Sequence, residues 1–370
     1  MRIGVIGTRG FPEVQGGIET HCQELYTRLA MKGNNKITVY RRIPYLNEIN
    51  RKAIFENIRF IDICVPKSKF LETFIHSFLA TIHALFQNYD IIHYHNMGPG
   101  FFIPLAKISG ARIVFTYHNQ SYTQQKWNSF ARKFLKLSEF ISIKRADYII
   151  FISNVLKRKM KEKYHVSDTN SSVVFNGVRI FEKSRDDSFL KNLGLKKHAY
   201  ILGVGRFTEE KGFDYLIRAY KRTGLDTIKL VLAGDADYPT DYSDNLKTFA
   251  TMNGIVLAGF VKGEKLNQLY TFARLFVMPS YSEGLPIALL EAMSYDLDVL
   301  ASDIPANLQV GLSEDDYFHT GDEESLSSSI IKKLASDKKK CFRDVLFERF
   351  NWDNIVKDTN NIYKQVMDNL

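Results

Sequence analysis

Two glutamates, Glu283 and Glu291, stand eight residues apart in the stretch Ser280 to Met293. An apolar run, Leu275 to Met278, precedes them and reads as a buried parallel strand. Gly284 and Pro286 punctuate a turn, and from Ile287 onward the composition favours helix. One carboxylate therefore falls in a strand-to-helix turn and the other about two turns inside the helix. At 1.5 Å per residue their backbones lie roughly 12 Å apart, a span that suits a nucleotide sugar. Free amides at the helix start lie between them, where a pyrophosphate would sit. The plain alternative is an ordinary helix with two exposed glutamates.

Three further groups could do chemistry. Gly203-Val204-Gly205-Arg206-Phe207-Thr208-Glu209-Glu210-Lys211-Gly212 places two cations around a turn that opens a helix near Phe213, where they could neutralise a diphosphate. The alternative there is a surface ion pair of Arg206 with Glu209 or Glu210. Near the start, the loop from Gly7 to Glu19 carries Gly16-Gly17 immediately before a helix, so backbone can approach an anion. Its spacing Gly4-x-x-Gly7-x-x-Gly10 is not the dinucleotide fingerprint, and Tyr40-Arg41-Arg42 ends the second strand where such enzymes carry an acid. His93, His95 and His118 stand at the ends of apolar runs, the place where α/β folds put function. Asp235-Ala236-Asp237 has a metal-binding form but reads as a solvated turn. No other spacing of His, Cys and acids suggests a metal site.

These residues need positioning elements, and strands alternate with helical stretches throughout, which predicts parallel α/β architecture. Strands are expected at 2–6, 36–41, 91–95, 112–117, 148–153 and 172–175, with a helix from Glu19 to Lys32 ending at Gly33. A second set follows at 199–204, 229–233, 255–259, 275–278 and 299–301. Residues 179–198 are polar and form the expected linker between domains 1–178 and 199–351. The tail, Trp352 to Leu370, reads as one long helix. At 370 residues the chain is long enough for two domains.

The stretch 280–293 resembles the Glu-x7-Glu motif of glycosyltransferase family 4, and Gly205-Arg206 with Glu210-Lys211-Gly212 resembles that family's diphosphate motif. The resemblance covers nearly the whole chain, most clearly from 200 to 293. It implies the GT-B fold: two Rossmann-like α/β/α domains with a cleft between them and a C-terminal crossover helix. It implies a retaining, metal-independent enzyme that moves a sugar from a nucleoside-diphosphate sugar. In that family pattern Arg206 and Lys211 hold the diphosphate, Glu283 the donor-sugar hydroxyls and Glu291 the ribose. Gly16, Gly17, Gly284, Leu285, Pro286 and Ile287 match positions beside the donor. Val261, in Ala258-Gly259-Phe260-Val261-Lys262, matches a contact to the base, and His118 matches a histidine near the donor sugar. The family's Thr-x-His-Asp becomes Thr116-Tyr117-His118-Asn119 here. The first loop resembles that of bacterial rhamnosyltransferases for cell-surface polysaccharides, which points to rhamnose as the sugar. A nucleotide-sugar epimerase of the same fold and a non-catalytic nucleotide-sugar binder are the alternatives.

Charge narrows the partners. The net charge is +9, but residues 1–180 hold 26 Lys and Arg against 12 Asp and Glu, while the remainder holds 24 against 29. The basic half is expected to face something anionic. Lys126 to Arg145 interleaves cations with Trp127, Phe130, Phe134, Leu137 and Phe140, as an interfacial helix does, so an anionic membrane surface is the expected partner, beside a glycan or lipid-diphosphate-linked acceptor. The plain reading is a core-facing helix with a solvated basic face. No nucleic-acid signature is visible. Cys22, Cys64 and Cys341 have no ligand or redox spacing, which fits a cytoplasmic protein. No apolar run is long enough to span a membrane; Phe70 to Phe86 comes nearest.

Overall fold

Among the described residues, thirteen strands form two separate parallel sheets. The computed structural model describes residues 1–14, 16–32, 34–68, 71–120, 122, 129–236, 239–336 and 340–368. Gln15, Gly33, Phe70, Lys126, Trp127 and Asp237, each part of an expectation above, lie outside them.

The first unit comprises residues 1–177 and 352–370. Its strands are β1 (Arg2–Ile6), β2 (Lys36–Arg42), β3 (Ile58–Ile63), β4 (Ile91–His95), β5 (Arg112–Tyr117), β6 (Tyr148–Phe151) and β7 (Ser171–Val173). They pair in the order β3-β2-β1-β4-β5-β6-β7. β1, β4 and β5 are buried on both faces, as central parallel strands must be, and β4 carries His93 and His95 within that burial. β6 stops at Phe151, short of the expected Ser153, because Ser153 caps the next helix: its Oγ accepts from the Leu156 N–H at 3.2 Å. β3 lies where the sequence shows no clear strand. It is an edge strand, half exposed, so Arg59 and Asp62 break its apolar pattern.

The tail helix Trp352–Asp368 packs on this first unit. Trp352, Ile355, Val356, Ile362, Tyr363 and Val366 join Leu25, Leu29, Val39, Ile91 and Val114 in one core. Each fully buried aliphatic or aromatic side chain of this kind contributes about 1.5–3 kcal/mol, enough to fix the helix without polar help.

The second unit spans residues 178–351. Its strands are β8 (Tyr200–Val204), β9 (Lys229–Ala233), β10 (Val256–Gly259), β11 (Leu275–Met278), β12 (Val299–Ser302) and β13 (Tyr317–Phe318). The order is β10-β9-β8-β11-β12-β13. The polar stretch 179–198 carries a short helix, Ser188–Asn192, and is tied down rather than free-running. Ser184 N–H donates to Asn267 Oδ1 at 3.2 Å and Phe189 N–H to Gln268 Oε1 at 2.9 Å. No helix among the described residues is long and apolar enough to cross a membrane.

Candidate active site

Each sheet reverses its winding at one point, between β1 and β4 in the first unit and between β8 and β11 in the second. Loops leaving such a pair of strands diverge and open a crevice at the carboxyl ends. Four of the predicted side chains sit at the second reversal or on the helix beyond it.

Lys211 leaves β8 and Glu283 leaves β11, and the structure joins them. Lys211 Nζ donates to Glu283 Oε1 at 2.6 Å, and Ser280 Oγ donates to the same oxygen at 2.6 Å. The two charged side chains are only 16% and 11% exposed, so solvent screens the pair weakly. Gly212 makes the approach possible. It has φ 63°, and a Cβ there would lie 2.4 Å from the Pro279 carbonyl oxygen. Tyr281 N–H also donates to the Glu210 carbonyl at 2.8 Å, so the two turns are stitched together. Arg206 reaches Glu210 at 3.8 Å and is one-third exposed, a contact worth little by itself.

Glu291 lies just over one turn into the helix Ile287–Ser294, not two, because only four residues separate it from Ile287, where the composition places the helix start. Its Oε2 accepts the Tyr270 hydroxyl at 3.0 Å. Burial raises this carboxyl to about 7, and the tyrosine bond opposes that rise. The helix opens without a side-chain cap. The Ile287 N–H folds back to the Leu285 carbonyl at 3.0 Å, so that amide is already used. Gly284 and Leu285 lie in the turn between Glu283 and this helix. Val261 is half-buried in the turn after β10. Asp235 pairs with Lys247 at 2.6 Å and accepts from the Ala236 N–H, as a turn residue does.

In the first unit Gly16 precedes the helix Gly17–Met31 with φ 142°. That φ favours glycine, and a Cβ there would also displace the Glu19 carboxylate, whose Oε2 would lie 2.0 Å away. The other oxygen of Glu19 accepts the Arg9 N–H at 2.9 Å and closes the loop over the helix start. At the end of β2, Arg41 forks onto Asp62 at 2.7 and 3.0 Å and Arg42 meets Glu72 at 2.6 Å. That buried basic corner has no place for the ribose-binding acid of a dehydrogenase.

His118 follows β5, and its Nε2 lies 3.0 Å from Nδ1 of His95 at the end of β4. Tyr26 hydroxyl bridges His95 Nε2 at 2.6 Å and His93 Nδ1 at 2.9 Å. His93 also meets the Tyr363 hydroxyl at 2.6 Å and Thr116 Oγ1 at 2.7 Å. His21, on the Gly17–Met31 helix, stands against His95 and His118 at ring distances of 5.5 and 5.0 Å. Burial takes His21 down to about 4 and, with the neighbouring imidazoles, holds His93, His95 and His118 well below the usual range. All four are neutral at neutral pH.

No sequence spacing marks them, yet the fold gathers His21, His95 and His118 from residues nearly a hundred positions apart, with ring nitrogens within 4.8 Å of one another. His21, Tyr26 and Tyr363 carried no local signal. Ser280 was within the motif, and Tyr270 was not.

Residues 184–342 match the family of glycosyl transferases group 1, and residues 15–180 match glycosyltransferase family 4. An uncharacterized glycosyltransferase of Methanocaldococcus jannaschii is 27% identical over 394 residues, covering 100% of this chain and 99% of the relative. A UDP-Gal:alpha-D-GlcNAc-diphosphoundecaprenol alpha-1,3-galactosyltransferase of Escherichia coli is 27% identical over 297 residues, 75% of this chain and 74% of the relative. Among solved structures, Anabaena HepE in complex with UDP-glucose superposes with a TM-score of 0.79 at 17% identity and covers 100% of both chains. The chain belongs to the group 1 glycosyltransferases of family 4 and has their GT-B fold.

Proposed function

We propose that this glycosyltransferase moves a sugar from a nucleoside-diphosphate sugar to a hydroxyl of a lipid-diphosphate-linked glycan in cell-surface polysaccharide synthesis, retaining the anomeric configuration without a metal ion. The observation that carries the reading is the Lys211–Glu283 pair at the second sheet's reversal point, beside an uncapped helix start. In this reading Arg206 and Lys211 hold the diphosphate, Glu283 holds sugar hydroxyls and Glu291 holds the ribose. Gly16 and Gly17 approach the phosphates, Gly284 to Ile287 line the donor, Val261 meets the base and His118 meets the sugar. The sugar–phosphate bond breaks as the acceptor oxygen bonds to the anomeric carbon on the same face. The acceptor's proton passes to the departing phosphate. Fixed cations stabilise that departing charge more in the transition state than in the ground state.

The lipid-linked acceptor is supported by the name of the Escherichia coli relative, and the UDP-glucose complex of HepE supports a nucleotide-sugar donor. Rhamnose, galactose and mannose donors are the ones to test. A thermal-shift screen against UDP-, dTDP- and GDP-sugars is expected to raise the melting temperature with one base only. Incubation with that donor and a lipid-diphosphate-linked acceptor should give a glycosylated lipid. Epimerised donor without acceptor would instead favour an epimerase.

The first unit also presents a face suited to anionic lipid. The helix Ser129–Arg145 leaves Phe130, Leu137 and Phe140 exposed among Arg132, Lys133, Lys136 and Lys144. Phe134 on the same helix contacts Phe74 and Phe101, and Phe78 and Leu79 are exposed nearby on the helix Leu71–Ala84. Sedimentation with phosphatidylglycerol liposomes is expected at low salt and to weaken at 1 M salt, where the screening length falls to about 3 Å. Equal sedimentation with neutral and anionic liposomes would contradict the electrostatic part of this reading.

A further inference from the structure

We infer that His21, His95 and His118 form a binding site for one divalent transition-metal ion, of which Zn²⁺ is the chemical type. Each histidine offers one ligand nitrogen, and those atoms all lie within 4.8 Å of one another. A tetrahedral ion with metal–nitrogen bonds of about 2.0–2.1 Å sets its ligands roughly 3.3 Å apart. His95 Nδ1 and His118 Nε2 are already 3.0 Å apart. The His21 nitrogen lies within 4.8 Å of both, so a bound ion would draw it inward to close the set.

A second observation points to a missing ligand at the same place. Neither ring nitrogen of His21 makes a well-aligned hydrogen bond, the side chain of Asn176 being the partner in reach, and the residue is 4% exposed. A buried imidazole so poorly matched costs free energy, which a coordinated ion would offset. The outer nitrogen of His95 is held as well. Tyr26 hydroxyl lies 2.6 Å from His95 Nε2, and His93 stands behind that tyrosine. This arrangement turns His95 Nδ1 toward the cluster, as the supporting groups around metal-bound histidines do. Three nitrogen donors with no carboxylate select zinc, copper, nickel or cobalt over magnesium, calcium or manganese. With three protein ligands the fourth position stays open.

The ion is not part of the transfer chemistry proposed above. It would take up the imidazole of His118 that the transferase reading gives to the sugar, so zinc is expected to inhibit.

The test uses the full chain without a histidine tag, stripped with chelator and dialysed against Zn²⁺ or Co²⁺ with no donor present. Its outcome is therefore separate from whether the chain transfers sugar. The expected result is one ion per chain, a tetrahedral Co²⁺ absorption spectrum, and a zinc X-ray absorption shell containing three imidazole nitrogens. H21N is expected to lose the ion, and Y26F to bind it roughly 10–100-fold more weakly. Less than stoichiometric binding by the wild type, or a shell without imidazoles, would overturn the inference. Since the wild-type spectra decide it alone, misfolding of a variant leaves the test intact. Unchanged binding by folded H21N would overturn it equally.

Discussion

Replacing Arg206 by Ala is expected to lower kcat/KM by about 10²–10³-fold, the loss typical of removing one preorganised group that meets transition-state charge. The melting temperature should stay within a degree or two of the wild type. Arg206 is one-third exposed and its contact with Glu210 is long, so the loss of that pair costs little stability. Lys211→Ala is expected to be at least as damaging to turnover and to differ in one respect. Glu283 would lose a partner at 2.6 Å and keep Ser280, so some loss of stability should accompany the loss of rate. Steady-state kinetics with matched thermal melts separates the two. Unchanged turnover in R206A would refute the diphosphate role.

The second large effect concerns pH. In the folded protein burial lifts the Glu291 carboxyl from 4.5 to about 7. The folded state then holds this proton more tightly than the unfolded chain does. Stability from this group is therefore full below about pH 4.5, falls as pH rises toward 7, and levels off above it. A shift of this size corresponds to up to about 3 kcal/mol at pH 8. Glu291→Gln is expected to stabilise the ligand-free protein by up to that amount at pH 8, and to leave it unchanged at pH 4. Donor binding should run the other way. Ribose hydroxyls donate to the ionised carboxylate, which lowers its pKa again. Wild-type donor affinity is then expected to rise between pH 6 and 8 with release of a proton. Calorimetry in two buffers of different ionisation enthalpy reads that proton. E291Q should bind about 10–200-fold more weakly with a flat pH profile, since hydrogen bonds to a charged group are worth about 1.5–3 kcal/mol.

What could be read from the chain follows the range of the interactions involved. The central strands β1, β5, β9 and β11 were legible because burial on both faces makes each a short, mostly apolar run, and β4 opens the same way with Ile91-Ile92. The meeting of Lys211 and Glu283 was legible for a related reason. Each sits within a few residues of such a strand, and the reversal between β8 and β11 brings those strands' ends together. The edge strand β3 was not, because half of its side chains face solvent and its pattern weakens. The depth of Glu291 was misjudged by about a turn: the helix starts at Ile287, as its composition indicates, and only four residues separate the two. The histidine cluster lay furthest out of reach. Its outer support is Tyr363, which bonds to His93 across 270 positions of sequence. Such a contact exists only once the tail helix has packed on the first sheet, and no spacing within either segment encodes it.

A crystal structure of the chain with a nucleoside-diphosphate sugar, or an unreactive analogue, tests the central assignment most directly. The account predicts diphosphate oxygens within about 3.2 Å of both the Arg206 guanidinium and Lys211 Nζ, sugar hydroxyls on Glu283 and ribose hydroxyls on Glu291. A donor bound with its diphosphate away from Arg206 and Lys211 would contradict it.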